Sequence, residues 1–165
     1  MDPRRGRRMI TVDERRIAAP VAEVFRRAAE VEGWPAILPH YRFVRMLERR
    51  PDGGGIVEMS ANRPFGPLNW PTWWTSEMWV DPARQEVRYK HIRGITRGMD
   101  VVWRVVKAGD RTHVTIVHEW DGPAWPLIRY PAAEWVIGPV FVHGIASRTL
   151  AGIARAAEAA ARGPA

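Results

Sequence analysis

His91 and His118 are the side chains of this sequence best suited to proton transfer, because imidazole titrates near neutral pH. Tyr41 and Tyr89 carry hydroxyls that can donate to a carbonyl oxygen. All four also have a plainer reading, as core residues hydrogen-bonded to a neighbour. His118 precedes Glu119, but consecutive strand residues point to opposite faces, so the pair forms no dyad. His113 and His118 differ in parity, and His40 and His143 have no carboxylate or histidine at ligand spacing, so no metal is expected. The triple glycine at 53–55 lacks the following helix and lysine of a phosphate loop, and no serine sits in Gly-x-Ser-x-Gly. No cofactor is implied.

Among the elements that must hold these residues, strand parity sorts the side chains by face. In "EVRYKHI" the charged Glu86, Arg88 and Lys90 share one face, which turns Val87, Tyr89 and His91 inward. The same rule turns in Met99, Val101, Trp103 and Val105, then Val114, Ile116, His118 and Trp120, and also Val57, Met59 and Ala61. In "WWTSEMWV", Glu77 places Trp73 and Trp79 outside, leaving Trp74, Ser76 and Met78 inside. A dry core prefers aliphatics, whereas this inner face carries indoles, a phenol, a serine and two histidines. Either the aromatics plug the space beneath a curved sheet, or they line a pocket for a flat apolar ligand.

The chain reads as one α+β domain. A first strand at 9–17 is followed by two short helices. Val21, Val24, Phe25 and Ala28 fall at helical spacing after Pro20. The Gly33-Trp34-Pro35 sequence reads as the break after that helix, and a second helical turn covers 36–38. Six further strands, at 41–49, 55–62, 73–80, 86–92, 98–107 and 112–120, are joined mostly by hairpins, giving about seven antiparallel strands. Helical period returns from about residue 128, through Ile137, Phe141, Ile145, Leu150 and Ile153, with Pro139 starting or kinking the main helix. That long amphipathic helix has to bury its apolar face on the sheet. Residues 1–8 read as a basic arm, 9–161 as the single domain and 162–165 as a frayed tail.

With 165 residues and no cysteine, disulfides and thiolate metal sites are excluded. The basic opening is followed by alternating sequence rather than an apolar run, and the longest uncharged runs, Pro64–Ser76 and Trp135–Ser147, have 13 residues each. A cytoplasmic protein is the expectation. The net charge of +7 invites a nucleic-acid reading, but only Lys90 and Lys107 are lysines and the arginines are scattered, which argues against a binding stripe. Two Pro/aromatic segments, 63–74 and 121–131, read as loops at one end of the sheet. They are either stiff surface loops or a hydrophobic rim touching a membrane or a carrier protein. Outward Trp73 and Trp79 leave a homodimer open.

Four stretches carry a family resemblance: "IAAPVAEVFRRAAEVEGWPAILPHY", "WWTSEMWVDP", "GMDVVWRVVKAGDRTHVTIVHEW" and the closing "GPVFV" with "RTLAGI". In order and spacing they resemble the SRPBCC, or START-like helix-grip, superfamily, and within it the polyketide cyclase/dehydrase and coenzyme-Q-carrier group. The resemblance implies a curved sheet wrapped around the C-terminal helix, with a deep hydrophobic cavity between them. It implies two kinds of function. One is an aromatase/cyclase guiding aldol closure and dehydration of a poly-β-ketone, for which Tyr41 and Ser76, together with His91 or His118 singled out above for their imidazole chemistry, are the candidate groups. The other is a non-catalytic carrier or sensor of a quinone, isoprenoid or lipid. Cyclase pocket residues match Tyr41, Trp74 and Ser76 here, while the position of a family arginine is Met78. The expected ligand-binding set is Trp34, Tyr41, Met59, Trp74, Ser76, Met78, Tyr89, His91, Trp103, His118, Trp120, Phe141 and Ile145.

Overall fold

The computed structural model describes residues 8–65, 68–122 and 142–163. Strand β1 (Met9–Ile17) leads through Pro20, at the N-cap, into helix α1 (Val21–Ala29), which buries Val24 and Ala28 one turn apart. A 3-10 turn (Val31–Gly33) and the short helix α2 (Trp34–Ile37) follow. Gly33-Trp34-Pro35 therefore begins a helix instead of ending one. Pro35 sits in the first turn of α2, where its missing N–H costs no intrahelical bond. The chain then runs through β2 (Tyr41–Arg49), β3 (Gly55–Phe65), β4 (Leu68–Asp81), β5 (Glu86–Gly94), β6 (Asp100–Ala108) and β7 (Arg111–Trp120), and closes with α3 (His143–Arg162).

The seven strands form one sheet in the order β1-β7-β6-β5-β4-β3-β2, every pair antiparallel. Along β5, β6 and β7 the inward set named from parity is the buried set, from Val87, Tyr89 and His91 through to Ile116, His118 and Trp120. Helix α3 lies against this face. Its buried stripe runs through Ile145, Thr149, Ile153 and Ala157 at four-residue spacing. Gly152 lets α2 approach closely: a Cβ there would sit 2.1 Å from Leu38 Cδ2.

One expectation is overturned by the backbone. Residues 63–74 do not form a loop: β3 and β4 continue as a two-stranded ribbon, with Asn62 opposite Pro71 and Phe65 opposite Leu68. Prolines 64 and 71 suggested a loop because proline cannot donate to a strand ladder. They are accommodated because β2 leaves β3 at Ala61 and β5 leaves β4 at Trp74, so among the described residues each strand of the ribbon has a neighbour on one side only. The second Pro/aromatic segment lies outside the described residues from 123 on, as do Pro139 and Phe141.

Candidate functional site

Between the inner face of the sheet and α3 lies a cavity with a free volume of about 70 Å³. Its sheet wall is built by Tyr41, Met59, Trp74, Tyr89, His91, Val101, Trp103, Ile116 and His118, one or two residues from each of β2 to β7. Val142, Ile145, Ala146 and Thr149 close it from the helix side, Trp34 from α2, and Thr96 and Met99 from the β5–β6 connection.

Aromatic rings form a continuous chain around it. Trp34 is 5.6 Å from Trp103 and 5.2 Å edge-on from Tyr41, and Tyr41 is 6.3 Å edge-on from Trp74. Trp74 in turn stacks on His91 at 5.8 Å and 14°. Trp34 satisfies its indole N–H on Arg27 O at 2.9 Å, which ties the wall to α1.

The polar atoms on this wall fall into two groups. At one end His91 Nδ1 lies 2.6 Å from Thr96 Oγ1. At the other, Thr149 Oγ1 donates to Ile145 O at 2.8 Å and lies 3.0 Å from His40 Nε2 and 3.4 Å from the Tyr41 hydroxyl. Tyr89 Oη and His118 Nδ1 are enclosed with no partner among the described residues.

Burial dominates the acid–base character of these groups. It pushes His91 down to about 3, helped by His118 and Lys90, and His118 down to about 3 as well. It raises both phenols, that of Tyr41 against a small opposing effect of Thr149, and that of Tyr89 with help from Tyr41. At neutral pH the site therefore holds two neutral imidazoles and two protonated phenols. Groups so far from neutrality exchange protons poorly with a substrate, while each neutral form keeps one hydrogen to donate in a hydrogen bond.

Nine of the thirteen residues expected from sequence stand on the cavity wall: Trp34, Tyr41, Met59, Trp74, Tyr89, His91, Trp103, His118 and Ile145. Ser76, Met78 and Trp120 point inward but stop short of it. Ser76 Oγ and the Met78 side chain are fully enclosed in the core. Trp120 is held away by its own bond, Nε1 donating to Arg97 O at 3.0 Å. Parity gives the face of a residue, not its height above the helix. Thr96 and Thr149 were missed because neither sits on a strand whose alternation could be read. Met99, Val101 and Ile116 were legible as inward and lacked only a reason to be singled out.

Outside the cavity, Trp79 is covered by the Arg50 guanidinium at 5.3 Å, itself 3.3 Å from Glu77, whereas Trp73 is 51% exposed. Among the described residues no group of three or more His, Cys, Asp or Glu could hold a metal, and no helix is long and apolar enough to cross a membrane.

A curved antiparallel sheet gripping one C-terminal helix over an aromatic cavity is the START-like helix-grip fold of the SRPBCC superfamily. The chain belongs to the family described as polyketide cyclase / dehydrase and lipid transport, which matches residues 17–140. Among solved structures, TTHA0849 from Thermus thermophilus is 19% identical with a TM-score of 0.77, over 92% of this chain and 99% of that one. The Zhui aromatase/cyclase from Streptomyces sp. R1128 is 21% identical with a TM-score of 0.69, over 94% of each chain. Ginseng major latex-like protein 151 from Panax ginseng is 15% identical with a TM-score of 0.72, over 92% and 99%. No curated protein sequence matches.

Proposed function

We propose that this protein binds a hydrophobic small molecule, aromatic or polyketide-like, in the cavity between the sheet and α3, and holds it by hydrogen bonds donated to its oxygens. The observation that carries this reading is the pairing of aromatic walls with two buried polar atoms, Tyr89 Oη and His118 Nδ1, that lack partners among the described residues. Each unsatisfied buried group costs about 1–3 kcal/mol, which a ligand with matching polar atoms would recover. The free volume of about 70 Å³ is below the roughly 300–1,000 Å³ of typical ligand pockets. A multi-ring ligand therefore binds by displacing wall side chains, and a carrier or sensor role follows readily from such a site.

A second reading, cyclisation or dehydration of a polyketone, is favoured by the family and by two protonated phenols beside two imidazoles on one wall. In it Tyr41 donates a hydrogen bond to a ketone oxygen, and His91 or His118 moves the proton only once a bound substrate brings its titration back towards neutrality. Native mass spectrometry of protein purified without detergent separates bound from empty chains and gives the ligand mass and oligomeric state together. A copurifying hydrophobic molecule lost on filling the cavity by Ala146→Trp supports binding; no uptake of any aromatic ketone, quinone or lipid from a panel would sink it. Turnover of a polyketone that collapses in Tyr41→Phe or His91→Ala would favour the second reading.

A further inference from the structure

We infer that Thr96 fixes His91 as the tautomer protonated on Nε2, so that the cavity presents a permanent N–H donor and selects ligands carrying an acceptor oxygen at that point. Thr96 is a positioning and specificity residue in this assignment, which rests on the cavity being the binding site proposed above.

The direction of the 2.6 Å contact between Thr96 Oγ1 and His91 Nδ1 follows from counting protons. Thr96 is 1% exposed, and its hydroxyl has no other partner among the described residues. If Nδ1 carried the proton and donated to Oγ1, the threonine hydroxyl hydrogen would be buried with nothing to accept it. If Thr96 donates to Nδ1, both groups are satisfied and the ring proton sits on Nε2. Leaving a buried donor unmatched is costly enough to favour the second arrangement about tenfold or more. Nδ1 is turned to Thr96, and Nε2 makes no hydrogen bond among the described residues, so Nε2–H is the polar group His91 offers to the cavity it lines.

The threonine is held rigidly enough to do this. The β5–β6 connection closes on itself through Arg97 N–H to Gly94 O at 3.1 Å and Met99 N–H to Thr96 O at 3.0 Å. Gly98 N–H to His91 O at 2.8 Å and His91 N–H to Met99 O at 2.9 Å anchor it to the histidine itself. Gly94 and Gly98, at φ 98° and 92°, supply the left-handed backbone the turn requires. Trp120 Nε1 clamps the turn from β7 through Arg97 O. Trp74 stacked on the imidazole fixes the ring plane. Donor, acceptor and ring are thus oriented before any ligand arrives.

The test uses the full chain with histidine labelled by nitrogen-15, and two probes of like shape, acetophenone and ethylbenzene. Long-range proton–nitrogen spectra at neutral pH should show His91 protonated on Nε2 and bare on Nδ1 in the wild type and in Thr96→Ser. In Thr96→Val, checked for an unchanged amide spectrum elsewhere, the Nδ1-protonated form should become populated. The preference for acetophenone over ethylbenzene should fall roughly fivefold to tenfold in Thr96→Val and be restored in Thr96→Ser. A wild-type His91 protonated on Nδ1, or a Thr96→Val protein with tautomer and preference both unchanged, would overturn the assignment. Failure of the wild type to bind either probe would count against the binding reading, while the spectra still decide the tautomer.

Discussion

Two threonine hydroxyls on the cavity wall each meet a histidine, Thr96 meeting His91 on the wall and Thr149 meeting His40 behind it, and the two pairs run in opposite directions. Thr149 sits in α3, where its proton is taken by Ile145 O one turn back, so its oxygen can only accept and His40 Nε2 must donate. Thr96 sits in a turn where its hydroxyl meets no carbonyl among the described residues, so it donates and His91 accepts. The polarity of a His–Thr contact is set by what else the hydroxyl can reach, which the two residue names do not reveal. Burial separates the pairs as well. His91 is enclosed, while His40 is half-buried and lowered to about 4, first by burial and then by Arg148 and Arg155.

The widest difference should appear in acid. His91 and His118 have folded values near 3 against an ordinary 6.5, so below pH 6.5 the unfolded chain takes up protons that the folded chain refuses. Their contribution is intact above pH 6.5 and is lost as pH falls towards 3. Each costs roughly 1.4 kcal/mol per pH unit, on the order of 5 kcal/mol for the pair between pH 6.5 and 4.5. Urea unfolding across that range should show the loss, and the double variant His91→Gln, His118→Gln should remove most of it, whereas His40→Gln should remove only a single histidine's share, up to about 2 kcal/mol, and that share stops growing near pH 4 instead of near 3. An equally steep acid limb in the double variant would show that other groups drive it. Asp13 works the other way. Burial raises its carboxyl despite the His143 partner at 2.5 Å, so its penalty, present at neutral pH, lifts as pH falls.

Next in size is the threonine pair itself. Thr96→Val strands a buried imidazole nitrogen and should cost about 1–3 kcal/mol. Thr149→Val should cost about 1 kcal/mol or less, because His40 can turn to water and the Tyr41 contact is long. Thermal unfolding of the two variants side by side decides it; equal losses would mean that the burial difference is not what matters. Smallest of all is Tyr41→Phe, expected within about 0.5 kcal/mol of wild type in stability, since a 3.4 Å contact contributes little. If that variant loses ligand affinity while keeping its stability, the Tyr41 hydroxyl serves the ligand and not the fold.

Much of this was legible in the sequence. Period-two alternation assigned the inner faces of β5, β6 and β7, because charged residues mark the solvent side of each. The aromatic and histidine content of that face left two readings, a plugged core or a pocket, and the structure shows a small cavity lined by those rings. The partners of the histidines were not legible. Thr96 reaches His91 through a turn, and Thr149 reaches His40 across 109 positions, so only the packing of α3 on the sheet brings them together. Depth was equally hidden: Ser76 and Tyr89 are both inward, yet only Tyr89 stands on the cavity wall. The ribbon of β3 and β4 was misread for a related reason, since whether a proline breaks a strand depends on neighbours that local sequence does not name.

That ribbon has a consequence for how the protein avoids its own kind. Past Ala61 and Trp74 both of its outer edges run beyond their neighbouring strands, with no further strand paired to them among the described residues, and unpaired edges of this sort invite another chain to add a strand. Pro64 and Pro71 remove one backbone donor from each side, so an incoming strand meets a gap in its ladder whichever edge it approaches. Two residues that look like loop-breakers in the sequence thus leave the ribbon a poorer template for strand addition than its length suggests.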